Sequence, residues 1–113
     1  FKKIKNQINQ KSLNNIDLKL LNDEESYIRE IDLVDDYSID FSLVDGVYRD
    51  ICALNIIPKL KKNSFLIIDN INWYFPRRSF DEKTEWKRVF DKLKKYKCIW
   101  TSNGVTDTAI FII

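Results

Sequence analysis

Short apolar runs alternate with stretches of helical period along this chain. That alternation limits the fold more than any other feature. Ile16, Leu18 and Leu20 interleave with Asp17 and Lys19, the pattern of a strand. Ile39-Asp40-Phe41-Ser42-Leu43-Val44 reads as a second strand, and Phe65-Leu66-Ile67-Ile68 as a third. The third is a continuous apolar run between turn residues, as in a strand buried on both faces. Cys98–Thr101 and Thr108–Ile113 supply two more. Between them lie helical patterns. Phe1, Ile4 and Ile8 give an amphipathic helix over Phe1–Gln10. Tyr27, Ile28 and Ile31 give a second, and Val47, Ile51 and Leu54 a third that Pro58 ends. Trp86, Val89, Phe90 and Leu93 give the fourth, over Asp81–Lys95.

The order is α-β-α-β-α-β-α-β-β, which predicts an α/β fold with a mostly parallel sheet covered on both faces. The last two strands are the exception. Only Ser102-Asn103-Gly104 and a few residues join them, too little for a crossover helix, so they form an antiparallel hairpin. There is no repeat, low-complexity tract or linker, and residues 1–113 read as one domain.

Composition removes several function classes. Histidine is absent, so no histidine triad, histidine metal site or imidazole pH switch can be built. Gly46 and Gly104 are the only glycines, so no glycine-rich phosphate loop fits. Cys52 and Cys98 make no zinc site without histidine and read as buried, reduced thiols of a reducing, cytoplasmic compartment. No run approaches the ~18 apolar residues of a membrane span, and no signal-peptide core follows Phe1. Residues 1–56 carry 7 basic and 11 acidic side chains, and residues 57–113 carry 12 and 6. Two differently solvated faces explain this, as does a basic half that meets an anionic ligand. Lys83, Lys87, Lys94 and Lys95 form a solvated helix face, and no nucleic-acid platform is expected because Trp86 and Phe90 fall on the apolar side.

Candidate chemistry sits where strands end. Open α/β sheets bind ligands beyond the carboxyl ends of their strands. Val44 is followed by Asp45, and Ile68 by Asp69-Asn70. If those strands are neighbours, two carboxylates and an amide oxygen converge. These are hard ligands suited to Mg²⁺, and equally able to orient a substrate hydroxyl or accept its proton. The plainer alternative is that Asp45 caps a helix and Asp69-Asn70 form a turn. Trp73, Tyr74, Arg77 and Arg78 form an aromatic and basic loop beyond the same tip. It reads either as a lid gripping an anionic or sugar-phosphate substrate, or as rings packed on the sheet edge with solvated arginines. Asn22 and Asp23 sit at another strand tip, where helix capping accounts for them.

The stretch Asp40–Asn70, DFSLVDGVYRDICALNIIPKLKKNSFLIIDN, resembles the fourth- and fifth-strand region of class I S-adenosylmethionine-dependent methyltransferases. A strand ending Asp-Gly leads into a helix, a Pro-x-Leu-Lys turn and a strand ending Asp-Asn. The final NGVTDTAIFII resembles that family's antiparallel terminal hairpin. The resemblance implies a partial Rossmann-like sheet and S-adenosylmethionine as cofactor. Asn22 or Asp23 would contact its adenosine, and a small-molecule or glycan acceptor would lie near catalytic Asp45 and Asp69. Members similar to catechol O-methyltransferases hold Mg²⁺ with an Asp and an Asp-Asn pair, which correspond to Asp45, Asp69 and Asn70. The family's first strand and glycine-rich cofactor loop lie upstream of this region. The chain, which begins at Phe1, is therefore expected to be the carboxyl-terminal portion of such a domain, inactive by itself. The strand Ile16–Leu20 would then lack its neighbours and pair with Ile39–Val44 or with a second copy, giving a homodimer through an exposed sheet edge. The rival expectation is a non-enzymatic module that uses the same half-sheet for self-association or partner binding.

Overall fold

A computed structural model describes residues 1–75 and 79–113. Its elements are α1 (Lys2–Gln10), α2 (Glu24–Asp32), β1 (Ile39–Val44), α3 (Arg49–Ile56), β2 (Leu60–Asp69), α4 (Trp86–Leu93), β3 (Lys97–Ser102) and β4 (Asp107–Ile112). Short 3₁₀ turns at Ile57–Lys59 and Ile71–Trp73 flank β2. The four helices and the later strands fall near where the periodicity put them, with α3 and α4 shorter than expected and β2 longer, since it begins at Leu60 and takes in residues 61–63 that read as a polar turn. Among the described residues no helix is long and apolar enough to cross a membrane.

The protein is α/β, with a four-stranded mixed sheet in the order β1-β2-β4-β3. Only β1 and β2 pair in parallel; β2–β4 and β4–β3 are antiparallel. The expectation of a mostly parallel sheet is thus wrong, and the cause is a single insertion. The strands preceded by helices, β1, β2 and β3, all run the same way. The terminal strand β4 returns from the hairpin and wedges between β2 and β3, turning two of the three contacts antiparallel.

The predicted strand over Ile16–Leu20 is absent among these elements. Ile16 and Leu20 are exposed, and Lys19 Nζ instead donates to Glu30 Oε2 of α2 at 2.5 Å. Alternation alone does not make a strand, because an isolated strand leaves its backbone groups without a ladder.

The sheet is covered on one face. Val44, Leu66, Ile68, Ala109 and Phe111 point to that face and pack with Ala53 and Ile56 of α3 and Trp86, Val89 and Leu93 of α4. Phe41, Leu43, Phe65 and Ile99 point the other way and stay exposed. The registers Phe41↔Phe65↔Ile112 and Leu43↔Ile67↔Ile110↔Ile99 make them continuous rows. The reading of Phe65–Ile68 as buried on both faces is therefore corrected: Leu66 and Ile68 are fully buried, whereas Phe65 is 43% exposed. The thiols differ from expectation too. Cys52 is half-buried and Cys98 exposed, and they form no disulfide.

The aromatic segment packs into the core rather than hanging beyond it. Tyr74 stacks on Trp86 with ring centroids 4.5 Å apart, and Phe75 meets Trp86, Phe90 and Phe111 within 5.7–6.3 Å. Such contacts add to the area that each ring buries.

Candidate functional site

Because β1 and β2 are parallel neighbours with Val44 opposite Ile68, their carboxyl ends deliver Asp45, Asp69 and Asn70 to one place. The chain leaves both tips through left-handed residues. Tyr48 has φ 53° and Asn70 φ 58°. Asparagine tolerates this conformation, but a bulky tyrosine is held there at a cost of ~1–2 kcal/mol. Gly46 carries no such φ, and a Cβ there would meet nothing within 4 Å. The only glycine in the left-handed region is Gly104, φ 87°, in the β3–β4 turn.

The side chain that organises the tip is Arg49, at the start of α3. Its Nε donates to the Gly46 carbonyl at 2.8 Å. Its Nη1 donates to the Asp69 carbonyl at 2.7 Å and to Asn70 Oδ1 at 2.8 Å. Its Nη2 donates to Asp45 Oδ1 at 3.2 Å. A planar guanidinium has donors in the directions this requires, and it stays charged at any physiological pH. Sequence reasoning missed Arg49. The available signal was its place four residues after Asp45, where the first turn of a helix brings it back over the strand end.

Asp69 turns its carboxylate toward β4, where Oδ1 accepts from the Thr108 hydroxyl at 2.6 Å. That bond is the main reason its pKa lies below the usual carboxylate range. The Asn70 backbone N–H, the Arg49 guanidinium and the Asp45 carboxyl add to the effect against partial burial. Asp69 is thus a fixed anion at neutral pH, better suited to orient a hydroxyl than to remove its proton.

Beside the tip lies a cleft of about 470 Å³ between α2, β1 and α3, lined by Tyr27, Ile31, Asp45, Val47, Cys52 and Ile56 among others. Tyr27 and Tyr48 meet edge to face across 5.6 Å. Burial pushes the Cys52 thiol up, so it is no activated nucleophile.

The remaining expected residues divide. Asp23 is the N-cap of α2, its carboxylate accepting from the backbone N–H and the hydroxyl of Ser26. That pair lowers its pKa, the side-chain bond most. Asn22 precedes this cap. Trp73 is 51% exposed, whereas Tyr74 is committed to its stack on Trp86. Arg77 and Arg78 lie outside the described residues. Asn72, which the sequence did not single out, accepts from the Asp107 backbone N–H at 2.9 Å and ties the loop after β2 to the terminal hairpin.

The donor set for Mg²⁺ is assembled, but one oxygen of each of its three side chains already accepts a hydrogen bond. Asp45 Oδ1 and Asn70 Oδ1 serve Arg49, and Asp69 Oδ1 serves Thr108. No group of three acidic, histidine or cysteine side chains among the described residues could hold a metal ion. For S-adenosylmethionine the cleft offers an apolar wall and the Asp45 carboxylate, while neither glycine forms a cradle that a Cβ would fill.

Comparison with protein-family models, with curated proteins and with solved structures yields no match.

Proposed function

We propose that this chain is part of an S-adenosylmethionine-dependent methyltransferase and forms the acceptor side of its site. The observation that carries the reading is the convergence of Asp45 and Asp69 at the carboxyl ends of a parallel strand pair, beside an open cleft. The strand-helix-strand unit from β1 to β2, followed by an antiparallel terminal hairpin, agrees with it. In this reading Asp69 and Asp45 orient the hydroxyl of a small-molecule or glycan acceptor. The cofactor supplies the methyl group and is held mainly by chain outside this stretch. The exposed apolar sheet face is then the surface against which the rest of such a domain packs.

The test is to express this chain joined to its upstream coding sequence and titrate S-adenosylmethionine calorimetrically. Saturable micromolar binding that the 113-residue chain lacks supports the reading. Absence of binding in both overturns it, and micromolar binding by the short chain alone overturns the claim that its cofactor site is incomplete.

A second reading, a non-enzymatic module, is favoured by the same uncovered face, where Phe41, Leu43, Phe65 and Ile99 stand exposed beside the outer edge of β1, which pairs with no strand among the described residues. Sedimentation velocity separates the two readings. A concentration-dependent dimer that Phe41→Lys abolishes favours the module, and a monomer at all concentrations removes self-association.

A further inference from the structure

We propose that Arg49 is the resident cation of the strand-tip cluster, so that this site operates without a divalent metal. The inference deepens the functional reading above and takes the same cluster as the reacting site, but its test requires no turnover.

Three features carry it. The first is coordination. Arg49 closes four hydrogen bonds of 2.7–3.2 Å that join the exit loop of β1 to the exit of β2. The second is enclosure. The Arg49 side chain is 15% exposed while that of Asp45 is 48% exposed, so the cation is the inner member of the pair. The third is competition. Of the oxygens a hard cation would need, Asp45 Oδ1 and Asn70 Oδ1 already accept from the guanidinium and Asp69 Oδ1 from Thr108, so a metal would have to share them with these donors or use the second carboxylate oxygens beside a fixed positive charge.

With Asn70 Oδ1 2.8 Å and Asp45 Oδ1 3.2 Å from the guanidinium nitrogens, a divalent ion bonded to these oxygens at ~2.0–2.6 Å would lie within about 6 Å of the guanidinium. Two like charges at that separation repel, and the guanidinium cannot relieve the repulsion by losing its proton. Withdrawal of Arg49 would also leave the Asp69 carbonyl and the Asn70 amide oxygen without their donor. The charge that a metal would bring to the tip is therefore already present, in a group covalently fixed to α3. Arg49 is a positioning residue: it sets the spacing of Asp45 and Asn70 and balances the carboxylates.

The experiment titrates the full 113-residue chain with Mn²⁺, read by electron paramagnetic resonance, and with Mg²⁺, read by calorimetry. The unaltered chain is expected to show no saturable binding at millimolar metal. Arg49→Gln removes the charge and keeps part of the hydrogen bonding. It is expected to tighten Mn²⁺ binding by about tenfold or more, the scale of one nearby unit charge removed. Adding Asp69→Asn to that variant should abolish the gain. Two results overturn the proposal: saturable Mn²⁺ binding by the unaltered chain that Asp69→Asn removes, or an Arg49→Gln protein, folded by circular dichroism, that binds no better. If Arg49→Gln does not fold, the unaltered chain with its Asp69→Asn control still decides. Failure of the methyltransferase reading would leave these titrations unchanged, so the two failures are distinguishable.

Discussion

The Asp69 carboxylate and the Thr108 hydroxyl meet at 2.6 Å, joining the last residue of β2 to the terminal strand β4. The two lie 39 positions apart in sequence and are directly opposite in the antiparallel ladder. A candidate catalytic carboxylate is thereby fixed by the terminal hairpin.

This bond predicts a pH dependence. The folded pKa of Asp69 is depressed, so the unfolded state takes up its proton first as pH falls. The stability it contributes is complete above the unfolded value of about 4 and is lost as pH drops through the folded one. Thr108→Val removes the donor. Its Asp69 pKa should move up toward the ordinary range, and the acid limb of its stability curve should flatten. Carboxyl carbon NMR titration of Asp69 in both proteins checks this, and an unchanged Asp69 titration refutes it.

Neighbouring residues on opposite sheet faces should respond very differently to truncation. Leu66 is fully buried and Phe65 is 43% exposed. Leu66→Ala should cost about 3 kcal/mol. Phe65→Ala should cost less than about 1 kcal/mol, since no packed core closes over that ring. Urea denaturation of the two variants measures the contrast. Equal losses would mean that the second face is covered in solution.

Asp23 is expected to act through the α2 cap. Asp23→Ala should lower the melting temperature measurably by removing the cap, and Asp23→Asn should restore most of it, because the amide oxygen still accepts from Ser26. Thermal melts of the three proteins would show this order. A role confined to cofactor contact would leave all three melting together.

Trp86 is 4% exposed and joins Tyr74 and Phe75 to α4. Trp86→Ala should cost about 3–5 kcal/mol, whereas Trp86→Phe should lose much less. Near-ultraviolet circular dichroism would follow the loss of the Tyr74 stack. A small effect of Trp86→Ala would mean that the aromatic segment is not part of the core.

Local patterning made much of this protein legible. The apolar stripe Trp86-Val89-Phe90-Leu93 marks α4, and Asp23 before two glutamates marks the start of α2. Asp45 and Asp69-Asn70 were readable as tip residues because each follows an apolar run directly. Ile16–Leu20 shows the limit of that reading: its alternation is as clean as that of β1, yet no neighbouring strand gives it a ladder.

Local pattern was enough for the four expected helices, for four of the five expected strands and for the polar oxygens at strand exits. Those features rest on periods of two and 3.6 residues and on residues adjacent in the chain. The tertiary structure alone decided three things. It placed β4 between β2 and β3, making the sheet mostly antiparallel. It covered one sheet face and left Phe41, Leu43 and Phe65 exposed on the other. It also brought Arg49 over the tip, where a free carboxylate pair had been expected. Each outcome depends on contacts between residues distant in sequence, and local pattern carries no record of which distant groups will meet.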